Sequence, residues 1–177
     1  MKPAEMRNPK TVAIVGLVAL VAAVIAVVTL TLVSHYRAAA VQARQAEIEA
    51  RGADVMPFDQ NQTQHFFTPT DDGGLQQVVA KDPSNQQQIA LIQAHLSEEV
   101  DRFKRGDFAD PASIHGQDMA GLSELETGAA SIDIQYAPLP NGAEIRYTAK
   151  DPQLVMALHH WFMAQLADHG AHASMHP

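Results

Sequence analysis

The chain contains no cysteine. That absence excludes thiolate metal sites, cysteine nucleophiles, disulfides and c-type haem attachment. It assigns no compartment, because disulfide-free domains exist on both sides of a membrane. Basic residues are also scarce where they would matter for binding polyanions. Of 12 Lys and Arg and 20 Asp and Glu, residues 1–51 hold six and three, which leaves six basic against 17 acidic residues and a net charge of −11 for 52–177. Phosphate backbones and anionic headgroups repel such a surface, so nucleic acid is excluded as a partner. Catalytic motifs are missing as well. Asp71-Asp72-Gly73-Gly74 is followed by no Gly-Lys-Ser/Thr and lacks the alternating acids of an EF-hand, so it reads as a turn. Ser113, His115 and Asp118 lie close in sequence but show no nucleophile elbow.

Charge is absent from residues 11–33 too, and there the absence is informative. TVAIVGLVALVAAVIAVVTLTLV is 23 residues without a charged side chain. At 1.5 Å per residue about 20 residues cross the hydrocarbon core, so this run predicts a transmembrane helix. It exceeds the 7–15 residues usual for a signal peptide's apolar region, although the small residues at 38–43 are compatible with cleavage. Lys2, Arg7 and Lys10 precede the span. By the positive-inside rule residues 1–10 stay in the cytoplasm, and the expectation is a single-pass inner-membrane protein with a periplasmic C-terminal domain.

Beyond the span, residues 34–52 are rich in helix formers without an apolar face and read as a helical stalk that Gly52 ends. Residues 53–80, with Pro57, Pro69 and scattered glutamines, read as ordered but irregular, pinned by Phe58, Phe66 and Phe67. Three Asp-Pro pairs offer helix starts, Asp as N-cap and Pro at the first helical position. Asp82-Pro83 opens a helix to about Arg105 with Ile89, Ile92, Leu96, Val100 and Phe103 on one stripe. Asp110-Pro111 opens a short turn, and Asp151-Pro152 a helix to about Asp168 stopped by Gly170. Around Pro140-Asn141-Gly142, residues 131–136 and 143–148 alternate apolar and polar, a hairpin signal. The expected fold is α+β: a β-hairpin packed on two or more helices, over 53–170, with 171–177 as a tail.

Nine histidines remain to be explained. On the last helix His159 falls at the edge of the apolar face and His169 near its centre, while His160 points outward. His95 borders the stripe of the earlier helix, His65 precedes two phenylalanines, and His115 follows Ile114. His65, His95, His115, His159 and His169 are therefore the candidate ligands. The tail residues His172, Met175 and His176 could add donors, as could the sulfurs of Met119 and Met163. Imidazole and thioether without thiolate suit copper, with haem second. The bland alternative is half-buried histidines bonded to carbonyls or carboxylates, with no cofactor. Glu98, Glu99 and Asp101 read as a solvated helix face.

The segments HFFTPTDDGG (65–74), FKRGDFADPASIHGQDMAGL (103–122) and HHWFMAQLADHG (159–170) resemble a family of small bacterial membrane-anchored or exported proteins, over most of 64–172. Members of that family often bear the label aspartate carbamoyltransferase. The sequence does not support that activity. A transcarbamoylase catalytic chain is a far longer, soluble two-domain protein, and its Ser-Thr-Arg-Thr loop has no counterpart here. The resemblance carries over no catalytic residues. Together these readings predict a membrane-tethered binding module for copper or haem. The second expectation is an accessory subunit of an integral membrane complex, embedded in lipid and without a metal of its own. An enzyme comes third, since no nucleophile or acid–base pair stands out.

Overall fold

The computed structural model describes residues 9–176; Lys2, Arg7 and the rest of residues 1–8 lie outside them, as does Pro177 at the end of the tail. Helix α1 (Pro9–Val55) contains the apolar run, and the chain divides into two units at Ala43/Arg44. In the first unit the helix is long and apolar enough to cross a membrane, and its apolar window buries nothing against protein. Its polar interruptions are satisfied locally. Thr29 Oγ1 donates to the Ile25 carbonyl, Thr31 to Val28 and Ser34 to Thr31, each at 2.8 Å. A helix that satisfies its own backbone and hydroxyls can sit in hydrocarbon.

The second unit starts within α1, so the expected stalk boundary at 52 moves. Ile48 is only 1% exposed. Arg44 donates to the His115 carbonyl at 2.7 Å, Arg51 to that of Ile114 at 3.2 Å, and the Gln60 amide to that of Glu49 at 2.9 Å. The last turns of the helix thus belong to the folded domain, and one isoleucine among polar neighbours was too narrow a stripe to announce it.

Residues 63–80, expected to be irregular, form a hairpin: β1 (Thr63–Thr70) and β2 (Gly73–Ala80), paired from Thr63↔Ala80 to Thr70↔Gly73. Asp71-Asp72 is its two-residue turn. Pro69 is tolerated because β1's other neighbour, β5 (Ala173–Ser174), pairs only with His65 and Phe66. The second hairpin, β3 (Ile132–Leu139) and β4 (Gly142–Ala149), matches the Asn-Gly signal. The sheet order is β3-β4-β2-β1-β5, antiparallel except for the β1–β5 pair. Two tail residues, Ala173 and Ser174, thus join the sheet.

Helix α2 (Gln86–Phe103) packs over β2, β3 and β4, and α5 (Pro152–His169) over β1, β2 and β4. The fold is α+β, a five-stranded sheet against helices. Asp151 caps α5 by accepting from Gln153 N at 2.9 Å. At α2 the cap is Asn85, accepting from Gln88 N at 3.2 Å, because Asp82 closes its own turn onto Ser84 N and Oγ. Two short helices, α3 (Ala109–His115) and α4 (Leu122–Gly128), complete the domain. Between sheet and helices lies an aromatic core. Trp161 and Phe162 are 0% exposed, Tyr147 and Phe108 1%, and the Phe103 and Phe108 rings stack at 4.4 Å.

A buried cavity lined by four histidines

Four of the five candidate histidines reach one place from four elements. Alternation along β1 turns Thr63, His65 and Phe67 inward. His95 lies on α2 beside Ile92 and Leu96, His115 ends α3, and His169 ends α5. All four line a cavity of about 50 Å³, together with Glu99, Asp110, Gln76, Gln165 and Trp161 among other residues. The His65 and His169 rings are 5.0 Å apart, and so are those of His115 and His169. Phe58 wedges between His65 at 5.9 Å and His95 at 5.7 Å.

These are edge-on ring contacts, in which one ring's edge meets the next ring's face. Such stacking does not aim several ring nitrogens at one point. Among the described residues no group of three or more His, Asp or Glu side chains is placed to hold a metal ion. The expected metal centre thus finds no support among the described residues, and what the four histidines share is a polar cavity.

Around the cavity the charges are paired or suppressed. Burial drives the imidazole of His65 down to about 3 and that of His169 well below its ordinary value, and the neighbouring imidazoles push the same way. Both rings are neutral at pH 7. Burial also lowers His95 and His115. Glu99 goes the other way, its carboxyl pushed up to about 8 by burial and by Asp110, so it is a neutral acid at pH 7. Arg102 ties this cluster together, donating to Asp107 at 2.9 Å, to Asp110 and to Glu99 at 3.4 Å.

On the opposite wall His115 Nδ1 donates to Asp168 at 2.8 Å. Arg44 grips the same carboxylate through Nε at 3.0 Å and Nη2 at 2.9 Å. Burial alone would raise the Asp168 carboxyl; the bonds from Arg44 and His115 outweigh it and hold the group below its usual range. Two cavity-lining residues carry buried nitrogens bonded to nothing among the described residues: His65 Nε2 and Trp161 Nε1. A buried donor without an acceptor costs about 1–3 kcal/mol.

His159 lies elsewhere. Its Nε2 meets the carbonyls of Thr70 at 2.9 Å and Gly73 at 3.0 Å, so this nitrogen carries the proton and bridges the two ends of the first hairpin's turn. That is a structural task. His160 is exposed. His172 is half-buried with a buried, unpartnered Nδ1, and bears on His65 and His169 from outside the lining. Met175 offers its carbonyl to Thr68 Oγ1 and Met119 is buried in the core, while His176 is exposed.

Glu99, Arg102, Asp110, Asp168 and Trp161 were not anticipated in the site. One signal existed for Glu99: Ile92, Leu96, Glu99 and Phe103 follow the 4–3–4 spacing of a buried stripe, which makes Glu99 an inward position. The charges beside it, Glu98 and Asp101, masked that spacing. Comparison with family models, with curated proteins and with solved structures gives no match.

Proposed function

We propose that the chain is a membrane-tethered binding module whose domain faces away from the cytoplasm. Its ligand site is the histidine-lined cavity, and its ligand is a small, neutral, polar molecule. The observation that carries this reading is the pair of unpartnered buried nitrogens, His65 Nε2 and Trp161 Nε1, on residues that line one cavity. Such nitrogens call for a partner inside that space. The partner's charge follows from the walls. Neutral imidazoles, a protonated Glu99 and an Arg102-bridged Asp110 offer hydrogen bonds without a net field, so an ion entering would lose its hydration uncompensated. Its size follows from the volume. At roughly 10–15 Å³ per water-sized occupant, 50 Å³ admits a guest of about four heavy atoms. A haem macrocycle is far too large. Copper would require His65, His115 and His169 to turn out of their ring contacts. The orientation rests on Lys2, Arg7 and Lys10 preceding the span and on the acidic domain following it.

Trp161 is the single tryptophan and lines the cavity, so tryptophan fluorescence of the folded chain responds to what enters there. The test is a titration of the detergent-solubilised full chain with acetamide and urea, with acetate, methylammonium and Cu(II) alongside. A saturable emission change with a neutral probe, lost in His65→Phe, is the expected result. A response to Cu(II) alone, or to none of the probes, would overturn the reading.

A further inference from the structure

The outward face of α5 carries an unusual set of side chains. Gln153, Met156, His160, Met163 and Ala167 are its exposed row, and none of them is charged. A solvent face normally carries charge, as α2 does with Glu98 and Asp101. From Arg44 onward the large apolar side chains left exposed are Met156 at 53%, Met163 at 49% and Met175 at 39%. Every one is a methionine, although leucine, valine and isoleucine are far more numerous in the chain. Among the described residues of the domain, a large apolar side chain is thus exposed only where it is a methionine, and on α5 two thioethers flank one imidazole.

Helix geometry makes that grouping chemical. At 100° and 1.5 Å per residue, positions 156, 160 and 163 fall within an arc of about 60°, roughly 6 Å and 4.5 Å apart along the axis. Each methionine has three rotatable bonds, so its sulfur can swing toward the histidine between them. Two thioethers and an imidazole without thiolate or carboxylate form a soft donor set, which selects copper(I) over zinc, magnesium or calcium. The field of a domain with net charge −11 concentrates cations at its surface.

We propose that Met156, His160 and Met163 form a surface site for one copper(I) ion, separate from the buried cavity. The site is open to solvent, so an ion enters and leaves without opening the fold, as a transfer site requires. It does not depend on what the cavity holds.

The test uses the full chain in detergent, titrated anaerobically with Cu(I) against a chromogenic Cu(I) chelator. One equivalent retained, with X-ray absorption showing two sulfurs and one nitrogen, is expected. Met156→Leu, Met163→Leu and His160→Gln should each weaken retention at least tenfold. All three positions are exposed, so circular dichroism and the melting temperature should stay unchanged. His115→Gln should retain copper fully. No retention would overturn the proposal. So would retention untouched by the Met156→Leu/Met163→Leu pair, or retention lost instead on His115→Gln or on Met175→Leu/His176→Gln.

Discussion

Glu99 sits where its protonation can be read as stability. Its carboxyl is buried on α2, and its pKa is pushed from an ordinary 4.5 up to about 8. An unfolded chain releases this proton near pH 4.5, whereas the folded domain keeps it until about pH 8. Between those values the native state binds the extra proton, so this group's contribution to stability is full below pH 4.5 and is lost as pH rises toward 8. One proton corresponds to about 1.4 kcal/mol per pH unit, so the loss from pH 5 to 7 is about 3 kcal/mol. Glu99→Gln keeps the shape of the neutral acid and has no proton to lose. Relative to the parent, E99Q should therefore gain about 3 kcal/mol between pH 5 and 7. The histidines are common to both chains and cancel in the difference. Guanidinium unfolding of the full chain in detergent, followed by Trp161 fluorescence at pH 5, 6, 7 and 8, measures it. A stability difference that stays constant across this range would refute the burial argument for Glu99, whatever its absolute value.

The histidines act in the opposite direction. His65, neutral until about pH 3 when folded but titrating near 6.5 when unfolded, stabilises above 6.5 and loses that contribution as pH falls. His169, also held well below its ordinary value, adds a second such slope, so the two together outweigh Glu99 below pH 6.5. Parent stability should therefore peak near pH 6.5, and His65→Phe should flatten the acid limb in the same unfolding series. Ile48→Ala should cost about 2–5 kcal/mol if the end of α1 is part of the core, and a cost below about 0.5 kcal/mol would return it to a stalk. Gly121 has φ +82°, and an added Cβ would lie 2.2 Å from the Ala157 carbonyl. Gly121→Ala should accordingly lower the melting temperature by more than the ~4 °C that about 1 kcal/mol represents. Asn85→Ala should cost about 1 kcal/mol as a lost cap, and Asp82→Ala distinctly less, by denaturant titration of each variant.

Legibility varied with how local each signal was. The span, the Asn-Gly hairpin and the α5 cap were visible because each is decided within a few residues: uncharged length, turn chemistry, and an Asp that reaches its own N–H groups. The first hairpin was hidden because Gln76 and Gln77 break the alternation of β2 and Pro69 sits in β1. Both are tolerated only because of what pairs beside them, which is tertiary information. The inward turn of His95, His159 and His169 could be read from helix phase, and that of His65 and His115 only from their apolar neighbours; four of the five line one cavity. His159 has the same phase as a ligand would, and only the position of the hairpin turn shows that it serves backbone carbonyls. The partners that neutralise the cavity come from other elements, Asp168 on α5 reached by Arg44 on α1, and Glu99 on α2 set against Asp110 on α3. No spacing rule joins them.

Occupancy of the cavity by a small neutral polar guest would show in a high-resolution structure of the chain soaked with acetamide. The expected result is the guest inside the cavity, within hydrogen-bond distance of His65 Nε2 and Trp161 Nε1. Acetamide bound only at the surface, with both nitrogens still unpartnered, would contradict it.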